Sequence, residues 1–183
     1  MTGVQTCALP IYDRQGAESA AANYAVALGS AEMFNKARRD AILQSIIVPD
    51  RVADFVARLD KAYTPEFNKN VGLNGDGTTP AGLTFVSRTT PIGTKVTESA
   101  SDTATVEVWC SGLLGLAGES STSPVTNSWF TITMQLEWTD DDWKIVTHSQ
   151  KGGPTPIPGD ERASSADEMA KAVQEYGGFT YAR

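Results

Sequence analysis

The chain has 183 residues, of which 40% are hydrophobic and 20% charged, and it carries a net charge of −7. This is the composition of an ordinary globular domain, and its acidic balance repels nucleic-acid phosphates, so nucleic acid is not expected as a partner. No run approaches the roughly 18 consecutive apolar residues that read as a membrane span.

Met1 to Ile11, MTGVQTCALPI, contains no charged side chain. The string resembles a translated sequencing adaptor whose GTG start is read as Met. Residues 1–11 are therefore expected to be an artefact that replaces the native N-terminus, with any upstream signal or anchor lost. Cys7 then drops out of the natural cysteine count and leaves Cys110 with no intrachain disulfide partner. The stretch from Tyr12 to Arg183 is long enough for one domain burying about 70% of its unfolded surface.

Helices come first. Ala17, Ala20, Ala21, Tyr24, Ala25 and Leu28 recur at spacings that place them on one helical stripe, and Gly29 ends it. Ser30 is placed to cap a second helix carrying Met33, Phe34, Ala37, Ala41, Ile42 and Ile46. Pro49 and Asp50 open a third, with Val52, Phe55, Val56, Leu59, Ala62 and Tyr63 facing the core, and Thr64-Pro65 ends or kinks it. The cations Lys36, Arg38 and Arg39 read as a solvated face.

Strands follow the turn-rich connection Gly72–Gly82. TFVSRT, TKVTES and TATVEVW alternate, and SWFTITMQLEW alternates over its whole length. Phe130, Ile132, Met134, Leu136 and Trp138 fall on one face of that last run; Trp129, Thr131, Thr133, Gln135 and Glu137 fall on the other. TDDD turns the chain into WKIVTHSQ. One apolar and one polar face is the pattern of an antiparallel sheet covered on one side, here by the helices. Three prolines and three glycines between Gly152 and Ser165 form an extended connection, and Ser165 with Glu168 makes a capping box for a last helix. The expected class is α+β: three N-terminal helices on a bent antiparallel sheet of about four strands, plus a C-terminal helix. The domain is expected over 12–153, with 154–183 packed on it.

No metal cluster or cofactor fingerprint stands out. Asp140 to Asp142 belong to a turn on backbone grounds, and Asn74 to Gly77 lacks the terminal ligands of a calcium loop. Gly112, Gly115 and Gly118 lack the Lys-Ser/Thr pair of a phosphate loop. Leu113, Leu114 and Leu116 among those glycines read either as side chains folded over the sheet's open end or as an apolar patch for a partner. A catalytic reading would rest on His148 as general base, with Glu107 or Asp40 as the carboxylate near it. His148 shares its alternation with Lys144, Val146 and Gln150. The tryptophans at 109, 129, 138 and 143 read as sheet packing.

Three helices followed by a bent antiparallel sheet is the order of the nuclear-transport-factor-2-like cone. AANYAVALGS, GLTFVSRTTPIGTKV, VEVWCSGLLGLAG, LEWTDDDWKI and the closing YGGFTYAR together resemble an uncharacterised family of actinobacterial proteins often found on integrative or conjugative elements. The resemblance implies a membrane helix upstream and a domain displayed outside the cytoplasm; it implies no catalytic residues. The expectation is a non-enzymatic binding or scaffolding domain that associates with itself or with a protein partner. The rival expectation is a small-molecule binder or isomerase-like enzyme that uses the interior of the cone.

Overall fold

The alternating runs of the second half pair into a four-stranded antiparallel meander in the computed structural model, which describes residues 12–156, 171 and 174–176. The strands are β1 (Thr84–Ser99), β2 (Thr103–Ala117), β3 (Thr126–Thr139) and β4 (Asp142–Gly152), in the order β1-β2-β3-β4. Register puts Val106 opposite Met134, Val108 opposite Ile132 and Cys110 opposite Phe130. These residues line the inner face, which packs against the helices. Glu107, Trp109 and Ser111 oppose Thr133, Thr131 and Trp129 on the outer face.

Four helices precede the sheet: α1 (Arg14–Leu28), α2 (Lys36–Ile46), α3 (Val52–Ala62) and α4 (Pro65–Asn70). Asp13 caps α1 by accepting from the Gly16 N–H at 2.7 Å. The buried alanines 17, 21 and 25 form a smooth stripe that lets α1 lie close on the sheet. Gly29 ends the helix where a Cβ would meet Thr89 Oγ1 at 1.8 Å, so the close approach of α1 to β1 demands glycine there. The Tyr24 hydroxyl donates to the Trp143 carbonyl and ties α1 to β4. Leu43 and Ile46 of α2 and Phe55 of α3 complete the roof over Val106, Val108, Ile132, Met134, Leu136 and Ile145. Between α2 and α3, Ile47 bridges Ile145, and the Val48 N–H donates to the Ile145 carbonyl at 3.0 Å.

The second helix differs from its expected form. Ala31–Phe34 is a 3-10 turn, and α2 starts only after Asn35, whose side chain accepts from the Arg38 N–H. Ser30 makes no capping bond there; its hydroxyl donates back to the Ala27 carbonyl. The break resets the helical phase. Ala37 and Ala41 consequently face solvent, while Met33, Arg39, Leu43 and Ile46 are buried. Arg39, taken from the sequence as part of a solvated face, is only 3% exposed. Its guanidinium donates to the Met33 carbonyl and to Asp60 Oδ1, both at 2.9 Å, and lies 4.6 Å from the Tyr63 ring centre. Thr64-Pro65 does more than stop α3, because the Thr64 side chain caps the unexpected short helix α4.

The two runs TFVSRT and TKVTES form the single strand β1. Shifts in register between Pro91 and Gly93 and between Val96 and Glu98 bend it without breaking it. Proline is tolerated because β1 is an edge strand. At the β3–β4 hairpin Asp140 and Asp141 both take positive φ, 53° and 60°, as a two-residue type I′ turn requires. Lys171 and residues 174–176 are helical. The capping box at Ser165 and Glu168 and the stretch 1–11 lie outside the described residues.

Truncation tests the division between roof and surface. Leu43→Ala should lower unfolding free energy by about 2–5 kcal/mol through the cavity it leaves. Leu113→Ala on the exposed end of β2 should change it by less than about 1 kcal/mol. Urea unfolding followed by tryptophan fluorescence reads both.

Candidate functional site

The sheet separates the polar candidates by face. His148 pairs with Met134, an inner-face residue, whereas Glu107 pairs with Thr133 on the outer face. Strict alternation from Lys144 would have put His148 outside. A register shift opposite Gln135 and Leu136 inserts an extra residue in β4 and turns the ring toward the helices. There it packs against Phe55 with ring centres 5.7 Å apart, and the Arg58 guanidinium lies 4.6 Å from the same Phe55 ring. Burial, and secondarily the Arg58 charge, hold the His148 pKa below its usual value. Asp40 sits on α2, held by Lys36 at 3.1 Å; Lys36 also reaches Asp60 at 2.7 Å. His148, Glu107 and Asp40 therefore do not converge on one pocket.

Cys110 is no partner for His148 either. Its residue opposite on β3 is Phe130, two repeats of the pleat away from Met134. Burial pushes the thiol up to about 12, far from the thiolate that a nucleophile needs.

The glycine-rich end of β2 is ladder, not loop. Leu113 pairs with Arg88 and Asn127, and Leu114 with Ser87 and Thr126. Consecutive residues point to opposite faces, so the two leucines, 39% and 38% exposed, present one apolar side chain on each side of the sheet. Leu116 is 2% exposed. It tucks against the Gly72 turn, while its N–H donates to the Ser123 carbonyl at 2.7 Å. Leu116 thus leaves the candidate partner surface and belongs to the packing beneath it. Gly112 is buried against Phe130, where a Cβ would stand 2.7 Å from the ring edge.

The acidic loops serve their own backbones. Asp142 pairs with Lys144 at 2.9 Å, and Asp76 accepts from the Thr78 N–H and hydroxyl at 3.0 and 2.6 Å. Among the described residues no group of three His, Cys, Asp or Glu is arranged to hold a metal. Two surface clefts of about 390 and 310 Å³ share Arg51 and Val146. One runs along Val48–Arg51 beside Glu137 and Thr139, the other along α3 past Asp54, Arg58 and Lys61. Neither is lined by His148, Glu107 or Asp40.

The outer face holds an arrangement that sequence reasoning did not find. Trp109 stands between Trp129, at 5.4 Å, and Tyr176, at 6.2 Å between ring centres. Trp109 Nε1 donates to the Pro154 carbonyl at 3.0 Å. The Tyr176 hydroxyl donates to Glu107 Oε2 at 2.9 Å, and Lys151 Nζ lies 3.6 Å from the other Glu107 oxygen. Burial first, then the hydrogen bond to Glu107, push the Tyr176 phenol up to about 12. Glu175 bonds Lys95 at 2.9 Å, which holds its carboxyl below the usual range. The local hints were Trp109 and Trp129, large apolar residues at outward positions of the alternation.

No family model and no curated protein matches the chain. Among solved structures it is similar to the intermembrane space region of the chloroplast protein ARC6, at 15% identity and a TM-score of 0.44. That likeness covers 79% of this chain and 100% of the other. No described helix is long and apolar enough to cross a membrane.

The depressed pKa of His148 has a signed consequence. Below its ordinary value of 6.5 the unfolded chain takes up the proton while the folded chain resists it. The stability contributed by the neutral ring is complete above that pH and is lost as pH falls toward and through the folded-state value. Urea midpoints measured from pH 8 to 5 should fall more steeply for the wild type than for His148→Gln. Parallel slopes would mean that the ring is solvated.

Proposed function

We propose that the chain is a non-enzymatic binding or scaffolding domain that works through its surface. The observation that carries this reading is the filled space between helices and sheet. Leu43, Val106, Val108, Met134, Leu136 and Ile145 occupy the inner face where a ligand-binding cone of the nuclear-transport-factor-2-like type would hold its substrate. A small-molecule enzyme on this scaffold would have to empty that interior and bring His148 and a carboxylate together across the sheet. The dispersal of His148, Glu107 and Asp40 supports binding over catalysis in the same way.

In this reading the open end of the β2–β3 ribbon, with Leu113 and Leu114 on opposite faces, is the contact for a second copy of the chain. The resemblance to actinobacterial proteins of mobile elements adds the setting: a membrane-tethered protein presenting this domain outside the cytoplasm, within a conjugation or mobile-element apparatus.

Sedimentation velocity over a concentration series tests the contact. The wild-type chain should show a rising average mass, and the Leu113→Ser/Leu114→Ser double variant should stay monomeric over the same range. Unchanged association in the double variant would overturn the assignment of this end as the contact.

A further inference from the structure

The outer face of the sheet is polar along most of β3, yet at its centre it carries Trp109 and Trp129. An outward tryptophan on a solvated face should be largely exposed. Trp109 is instead buried, because the chain after β4 turns back across it and Tyr176 closes over it. Among the polar contacts that orient that cover, two are complementary in kind. A tyrosine hydroxyl meets the Glu107 carboxylate, and the Glu175 carboxylate meets the Lys95 ammonium. An aromatic platform flanked by one acid and one base, filled by a short helical segment with a matching tyrosine and acid, is how a peptide sits in a docking site.

Fourteen residues, 157–170, separate Pro156 from Lys171 in the sequence. Such a length lets Glu175 and Tyr176 reach their own sheet or that of a neighbouring molecule. The ion pair with Lys95 is about one-third exposed on both sides. Docking of this kind is maintained by the high local concentration of a tethered ligand and exchanges readily.

We infer that the outer face around Trp109, Glu107 and Lys95 is a peptide-docking site, occupied in cis by the chain's own Glu175 and Tyr176 and open to the same residues of a second copy. A chain whose tail has moved to a neighbour accepts a tail in turn, so the site links copies by exchange of an identical element. This stands apart from the leucine end of β2, and the variants that test the two share no residue.

The test uses the full chain and a fluorescent peptide of residues 168–178. Anisotropy should show the peptide binding the Tyr176→Ala chain at least about tenfold more tightly than the wild type, whose site is already filled. Tryptophan emission of the Tyr176→Ala chain should shift to the red, and adding peptide should reverse the shift. Glu107→Gln, placed in the Tyr176→Ala chain, should weaken peptide binding by several-fold. Tyr176→Phe keeps the ring and should show an intermediate affinity for added peptide, which guards against a folding defect. A cis contact at an effective concentration of about 1 mM requires trans binding below about that value. Absence of binding to the Tyr176→Ala chain up to that concentration, or equal binding to it and to the wild type, would overturn the proposal.

Discussion

An antiparallel sheet whose two central strands present one wholly apolar face cannot leave that face in water. Val106, Val108 and Cys110 on β2 and Phe130, Ile132, Met134 and Leu136 on β3 form such a face. Each large side chain there contributes about 1.5–3 kcal/mol when fully buried. That requirement dictates the first half of the chain. The alanine stripe of α1 lets a helix approach closely, Leu43 and Phe55 fill the remaining space, and the Ile47–Ile145 bridge fixes the segment between α2 and α3 to the sheet. The same requirement fills the space between helices and sheet with Leu43, Val106, Val108, Met134, Leu136 and Ile145.

Among the described residues, Arg39 and Asn68 are buried polar side chains of the helix layer. Arg39 joins α2 to α3 by reaching Asp60, the Met33 carbonyl and the Tyr63 ring at once. A buried guanidinium needs such partners; the Arg39 Nε is itself buried without one, and truncating any of the others leaves further charge or donors unmatched. Tyr63 in turn belongs to a ring cluster with Phe34 and Phe67, and Phe34 extends it to Phe85 on β1. The joint therefore ties the helix layer to the edge of the sheet, near the end where Leu113 and Leu114 emerge. The ring cluster ends at Phe85, whose ladder partner Leu116 is two residues from Leu114.

Elements governed by short-range patterning were legible from the residues alone. The alternation of β3 assigns its two faces, TDDD makes a two-residue turn, and the α1 stripe is buried at Ala17, Ala21 and Ala25. What escaped depends on a single inserted residue or on a distant partner. One irregularity in β4 moves His148 from the face that counting assigns to the opposite one. A break at Asn35 shifts the phase of α2 and buries Arg39, whose partner Asp60 lies a helix away. TFVSRT and TKVTES alternate as two separate runs, yet a bulge carries β1 through Pro91 and Gly93 between them. The candidate outer site joins Glu107 to Tyr176 across most of the second half of the chain, and no local signal links them.

Hydrogen exchange resolved by residue tests the sealed interior most directly. Amides of 106–110 and 132–136 should exchange only through global unfolding, as the slowest class in the chain, while those of 84–90 on the β1 edge exchange by local opening. Fast exchange through local opening at 106–110 and 132–136 would mean a solvated cleft between helices and sheet, and the case for a surface-acting binding domain would fall with it.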